Sequence, residues 1–396
     1  MNINSLLLGS AAVLVAVSGA RAADAVVIAE PEPMEYYVPV CDVYGAGFFY
    51  IPGTETCLRV GGYIRDDAGV GVLGHHDVLD KKNFLAALKK KGLSEEYARN
   101  DTYYNRARFQ LRVDSRSETE LGTLRAYAAI NFQYTTKESG GGITIASDVI
   151  GIEHAYIELG GLRVGKTDSL FSTFTGYAGG VIHDDLIGYG RFGTHQIAYT
   201  FSGGNGFSAA IALEEGVGGS LRDDFDGNGT TDITSNLHTL DSYVPHVVGG
   251  VAWTQGWGGI SAVAGYDANW EEWAGKVRLD VNATEQLALF IMAGYKSGAD
   301  EDFFGFAGAD RPNFYGNWGG VWAVWGGGTF TVSEQTKINV QLSYDEDENF
   351  AAVANVNYTL APGLVITPEI SYVDKLDNDH GDSDEIGGVL RFQRTF

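Results

Sequence analysis

Apolar and polar side chains alternate in segment after segment from Cys57 to Phe396. A period of two belongs to extended strands, whose successive side chains point to opposite faces. In 337–344, Ile338, Val340, Leu342 and Tyr344 share one side while Lys337, Asn339, Gln341 and Ser343 share the other. In 271–281, Trp273, Gly275, Val277, Leu279 and Val281 oppose Glu272, Lys276, Arg278 and Asp280. Sixteen such segments lie near 57–66, 103–114, 122–134, 149–160, 162–166, 193–202, 206–214, 245–254, 258–267, 271–281, 286–297, 318–331, 336–344, 349–359, 363–375 and 385–396. Short turns such as Gly160-Gly161 and Ala361-Pro362-Gly363 alternate with long polar connections near 67–102, 135–148, 167–192, 215–244, 298–316 and 376–384.

A soluble sandwich would hide the apolar face in a core, whereas a membrane barrel turns it to lipid. Three features favour the barrel. Residues 1–22 read as a secretory signal peptide, with an apolar stretch over 6–17 and the small-residue site Ala20-Arg21-Ala22. The strand count is even, as up-and-down bacterial barrels require. The last segment, Gly388-Val389-Leu390-Arg391-Phe392-Gln393-Arg394-Thr395-Phe396, alternates to its final aromatic residue. Beyond residue 22 there is no apolar run of 18 residues, so a helical span is excluded. The expectation is an all-β chain: a 16-stranded antiparallel transmembrane β-barrel of the outer membrane with an inward-folded third loop. Residues 1–22 form the signal, 23–56 an N-terminal segment and 57–396 the barrel.

The 54 glycines and 12% aromatic content suit strands and tight turns. The net charge of −24, or −25 without Arg21, excludes nucleic acid as a partner. Cys41 and Cys57 are the two cysteines, and an oxidising periplasm favours one disulfide between them. The alternative is two separate buried thiols.

Arginines stand out on one face. With Ala107, Phe109, Leu111 and Val113 toward lipid, Arg106, Arg108, Arg112 and Asp114 fall on the other side. The preceding strand adds Arg59 and Arg65 and the following one Arg125. Crowded like charges need water or opposing carboxylates, so these six read as a basic wall of a water-filled lumen, with Arg106 and Arg108 at its narrow point. The connection 167–192 supplies Asp168, Asp184 and Asp185 beside the apolar and small-residue run 170–180, which gives it reason to fold inward. An ordinary solvated sheet face is the competing reading.

Other signals are weaker. Asp224, Asp226 and Asn228 open like a calcium loop, but the twelfth position is Ser235 rather than Glu, which leaves a weak metal candidate. Acidic clusters at 300–302, 345–348 and 382–385 could bridge through divalent cations to an anionic leaflet. His75-His76 reads as incidental. Between 77 and 100, Phe84, Leu85, Leu88 and Leu93 among lysines have a helical period and predict a short helix, with a solvated, mobile loop as the equal alternative. No phosphate-binding loop, nucleophile elbow or cysteine–histidine array marks an enzyme, and no cofactor is expected.

The runs Ala23-Asp24-Ala25, Val40-Cys41-Asp42, Tyr44-Gly45-Ala46-Gly47, Tyr50-Ile51-Pro52-Gly53-Thr54-Glu55-Thr56-Cys57-Leu58-Arg59-Val60, Ser117-Glu118-Thr119-Glu120-Leu121-Gly122-Thr123-Leu124, Phe174-Thr175-Gly176-Tyr177 and Arg391-Phe392-Gln393-Arg394 resemble the trimeric porins of alphaproteobacteria. The resemblance implies a sixteen-stranded homotrimer in the outer membrane, touching lipid and lipopolysaccharide and passing small hydrophilic solutes and ions by passive diffusion. It maps the family's inward third loop onto 167–192. The lysine-rich stretch 81–91 and Arg394 depart from the family pattern. A channel selective for one solute class, or a plugged barrel acting as adhesin or enzyme, is the alternative.

Overall fold

The computed structural model describes residues 40–83, 99–138, 144–218, 220–223, 233–298, 312–374 and 385–396. The signal segment, residues 23–39, the apolar residues of the anticipated first-loop helix, Asp224, Asp226, Asn228 and the acidic clusters at 300–302 and 382–384 lie outside them.

Sixteen strands form the wall: β1 (Cys57–Gly71), β2 (Tyr104–Thr119), β3 (Gly122–Glu138), β4 (Thr144–Leu159), β5 (Leu162–Thr167), β6 (Thr194–Gly204), β7 (Phe207–Glu214), β8 (His246–Gln255), β9 (Gly258–Asp267), β10 (Glu272–Asn282), β11 (Leu287–Lys296), β12 (Trp322–Ser333), β13 (Thr336–Asp345), β14 (Phe350–Ala361), β15 (Leu364–Asp374) and β16 (Glu385–Thr395). Each pairs antiparallel with its sequence neighbour, and β16 returns to β1 from Tyr63↔Thr395 to Gly71↔Gly387. Closure leaves no unpaired edge, the condition for a sheet in hydrocarbon.

The alternation explains the two faces. Val60, Ile64, Val251, Val277, Ile291, Val340 and Leu342 are outward and exposed, while Tyr63, Asp67, Gln110, Asp114, Lys276 and Gln341 are inward and buried. An exposed apolar band this extensive suits lipid rather than water. Aromatic pairs mark both rims: Trp253 with Trp257 at 6.0 Å near the short turns, and Trp273–Tyr295 at 5.5 Å and Trp322–Tyr344 at 5.9 Å near the long loops.

One expectation changes in detail. Strands β1 to β4 run past their anticipated ends because cross-strand pairing continues into the hairpin bases. In the first long connection His75–Leu79 and Arg99–Thr102 pair as a ribbon and 81–83 are helical, while the rest of the anticipated short helix lies outside the described residues. Asp80 caps that turn by accepting from the backbone N–H groups of Lys82 and Asn83 at 2.9 and 3.1 Å.

The hydrophobic core sits inside the barrel. Phe171, Ile187 and Tyr189 of the third long connection meet Phe314, Tyr315 and Trp318 of a later one, with Trp325 from β12 beneath. The wall under them presents small or apolar inward residues, Ala198, Ala210, Ala212, Val263 and Ala274, where other strands present polar ones.

A candidate constriction inside the barrel

Loop 168–193 enters the lumen because its two sides find partners there. Ser169 accepts from Phe171 N–H to cap the short helix Leu170–Thr173 and donates to Glu214 at 2.7 Å. Glu214, buried at the end of β7, also accepts from Leu170 N–H and Tyr315 OH. Beyond this root the loop is laced to the wall from β10 to β15. Lys276 donates to Tyr189 O at 2.5 Å, Trp325 to Ile187 O at 2.9 Å, Gln341 to Asp184 O at 2.7 Å and Asn355 to Gly180 O at 3.2 Å. Glu369 accepts from the backbone of Ile182 and His183 and lies 2.8 Å from the His183 ring nitrogen. A buried backbone carbonyl or N–H without a partner is costly, so this set fixes the loop's path.

Glycine permits the approach. A Cβ on Gly179 would lie 2.3 Å from Gln341 Oε1, and one on Gly180 would lie 2.5 Å from Asn339 Oδ1. The loop tip therefore lies flat on the wall.

The opposite wall carries the arginines. Pairing of β1 with β2 sets Arg59 against Asp114, Arg65 against Arg108 and Asp67 against Arg106, so all of these share the inward face with Tyr63. Pairing of β2 with β3 places Arg125 on the same face, opposite Arg116. The six do not form one ring: Arg65 lies six positions after Arg59, about 20 Å along a strand.

Their partners differ with height. At the short-turn end Asp114 takes Arg116 at 2.8 Å, Arg125 at 2.9 Å and Arg59 at 3.6 Å. Glu158 bridges Arg125 and Arg163. Phe48 lies under Arg59 and Arg116 at 4.7 and 5.0 Å, so the segment after Cys41 covers this end of the ladder. Nearer the long loops, Asp67 accepts from Arg106 at 2.5 Å and Arg391 at 2.6 Å. Between them stand Arg65, Arg108 and Arg112, with no ion pair among the described residues. These three gather on Tyr63: Arg65 and Arg112 lie 4.5 and 5.4 Å from its ring, and Arg108 is 3.5 Å from its hydroxyl. Amides hold them, Gln393 for Arg65, Gln133 for Arg108 and Gln110 for Arg112.

The carboxylates that pair with the arginines thus belong to the wall, not to the loop. Asp168 accepts from Tyr177 OH at 3.0 Å and Gly193 N–H at 3.2 Å. Asp184 accepts from Tyr189 OH at 2.7 Å, and Asp185 beside it is exposed. Burial, with the neighbouring charge of Asp185, lifts Asp184 to about 6 despite the Tyr189 hydrogen bond that opposes the shift.

The disulfide Cys41–Cys57 forms, with Cα atoms 6.0 Å apart. Among the described residues no group of three metal-binding side chains converges. Sequence reasoning passed over Glu214, Lys276, Asp67, Arg163, Glu369 and Arg391. The strand period gives their facing, but their value lies in partners from distant strands. For Lys276 the sequence offered facing alone: it shares the inward side with Ala274 and Arg278, and only pairing sets it between Val263 and Gly294.

Comparison with known proteins agrees with this architecture. The sequence model described as Porin subfamily matches residues 24–389. Porin Omp2b of Brucella canis is 48% identical over 404 residues, spanning 100% of both chains, and Porin Omp2b of Brucella abortus is 47% identical over the same span. Among solved structures, the outer membrane channel DcaP of Acinetobacter baumannii superposes with a TM-score of 0.58 at 17% identity, covering 88% of this chain and 99% of its own. At that identity the likeness concerns fold alone.

Proposed function

The chain belongs to the Porin subfamily and forms a water-filled channel of the outer membrane for passive diffusion of small hydrophilic solutes and ions, and on that premise we propose where its passage narrows. The narrow point lies between the loop laced to β10–β15 and the uncompensated guanidinium groups Arg65, Arg108 and Arg112. Loop acids Asp168, Asp184 and Asp185 supply the opposing sign, and Arg59, Arg106 and Arg125 extend the basic wall above and below. A field across a narrow, low-dielectric opening acts on every permeating ion. The observation that carries this reading is the loop's hydrogen bonding to one wall while three unpaired cations occupy the other.

We read the protein as a channel and not an enzyme, and as a homotrimer whose acidic loops meet lipopolysaccharide through divalent cations. Residues 1–22 act as the signal. Reconstitution in a planar bilayer tests the channel: conductance rising in groups of three equal steps is expected, and an electrically silent barrel would refute the open lumen.

A further inference from the structure

Toward the short turns, the loop tip and the wall enclose an open cavity of about 450 Å³, within the range that holds small polar ligands. Its roof is Gly180, Val181 and Ile182, and its floor comes from β13 to β16 and β1. Inward parity follows from the pairing Lys337↔Asn357, on the face opposite exposed Ile338.

The charges in this cavity are lopsided. Arg65, Lys337 and Arg391 face it, against Glu334 at the exposed turn. Arg391 is compensated by Asp67, whereas Arg65 has only the Gln393 amide and the Tyr63 ring and no carboxylate, and Lys337 has no partner among the described residues. Glu369, the other carboxylate nearby, is consumed by the loop backbone and His183. Apart from Val365, the neutral side chains of the floor are amides and hydroxyls. Asn357 accepts from Thr367 OH at 2.9 Å, which leaves its amide N–H groups to face the cavity, and Thr359 adds a hydroxyl. Uncompensated cations beside amide and hydroxyl groups in a chain of net charge −24 form a local inversion of sign.

We propose that this cavity is a solute subsite below the constriction for small hydroxylated carboxylates of the sugar-acid class. The carboxylate pairs with Arg65 and Lys337, and the hydroxyls exchange hydrogen bonds with Asn357 and Thr359. The proposal rests on the channel reading, and its test separates the two. Single channels are recorded in potassium chloride while gluconate, glucose or glucosamine is added from the short-turn side. Gluconate is expected to interrupt the current at concentrations where glucose and glucosamine do not, and Lys337→Gln to weaken that block about tenfold without lowering conductance in salt alone. Asn357→Leu, which removes only hydrogen bonding, should weaken gluconate block less. Equal block by gluconate and glucose, or block unchanged in Lys337→Gln, would overturn the subsite while leaving the channel intact. Absence of conductance in salt alone would overturn both.

Discussion

Arg108 and Arg106 sit two residues apart on one face, yet the structure gives them different work. Arg106 neutralises Asp67, which is 1% exposed, so its removal strips a buried carboxylate of a partner. Arg108 and Arg112 neutralise nothing and keep their charge for the lumen. The double variant Arg108→Gln, Arg112→Gln is therefore expected to shift the reversal potential in a salt gradient toward cations. Asp347→Asn, on an external loop where salt screens charges beyond about 8 Å, should change it far less. Equal shifts would move the narrow point away from Tyr63. Asp184 gives a pH dependence. Its carboxyl is lifted to about 6 by burial, so between pH 7.5 and 5 the loop loses negative charge and selectivity should drift toward anions, a drift absent in Asp184→Asn. A raised acid favours the fold below its ordinary value near 3.8, and that contribution is lost as pH rises through about 6. Wild type should accordingly gain thermal stability relative to Asp184→Asn on acidification, measured by the unfolding temperature at pH 8 and pH 4.5.

The third loop behaves as an element that has exchanged solvent for wall. Its tip fits because Gly179 and Gly180 have no side chains, and the residues they touch cannot step aside: Asn339 is bonded to Thr329 and Asn355, and Gln341 to Asp184. Gly180→Val should lift the tip and widen the passage, seen as faster uptake of larger sugars in liposome swelling. Swelling rates equal to wild type would mean that the tip does not bound the opening. The segment before β1 is a second such element. Its disulfide closes a loop of separation 16, and Tyr44 donates to Glu118 at 2.7 Å, fastening it over the short-turn end of β2. Loss of that cross-link by Cys41→Ser, Cys57→Ser should cost about 3 kcal/mol in denaturant unfolding.

At the scale of the molecule, the outer face of β1 to β5 carries small residues among its apolar ones. Gly62, Ala107, Ala126 and Ala128 interrupt the apolar band, and a shallow hollow of about 420 Å³ opens between Val113, Ala126, Ala155 and Val164. Small residues let two walls approach closely, which supports subunit contact on this side. Native mass measurement in mild detergent should give three chains, and Ala126→Trp with Ala128→Trp should shift the population to one. A monomeric wild type would refute the trimer.

Alternation alone determined the sixteen strands and their two faces, because register has a period of two and a slip of one residue would bury the lipid face. The same parity put Arg59, Arg65, Arg106, Arg108, Arg112 and Arg125 on one wall, and the apolar run 170–180 marked the loop that turns inward. Partnership was beyond it. That Asp67 joins Arg106 to Arg391, that Glu214 roots the loop, and that Lys276 lies beneath Tyr189 depend on which strands become neighbours around a closed sheet. Closure brings residues hundreds of positions apart within hydrogen-bonding distance, and only there do burial and opposing charge decide which arginines are spent on carboxylates and which remain free for the lumen.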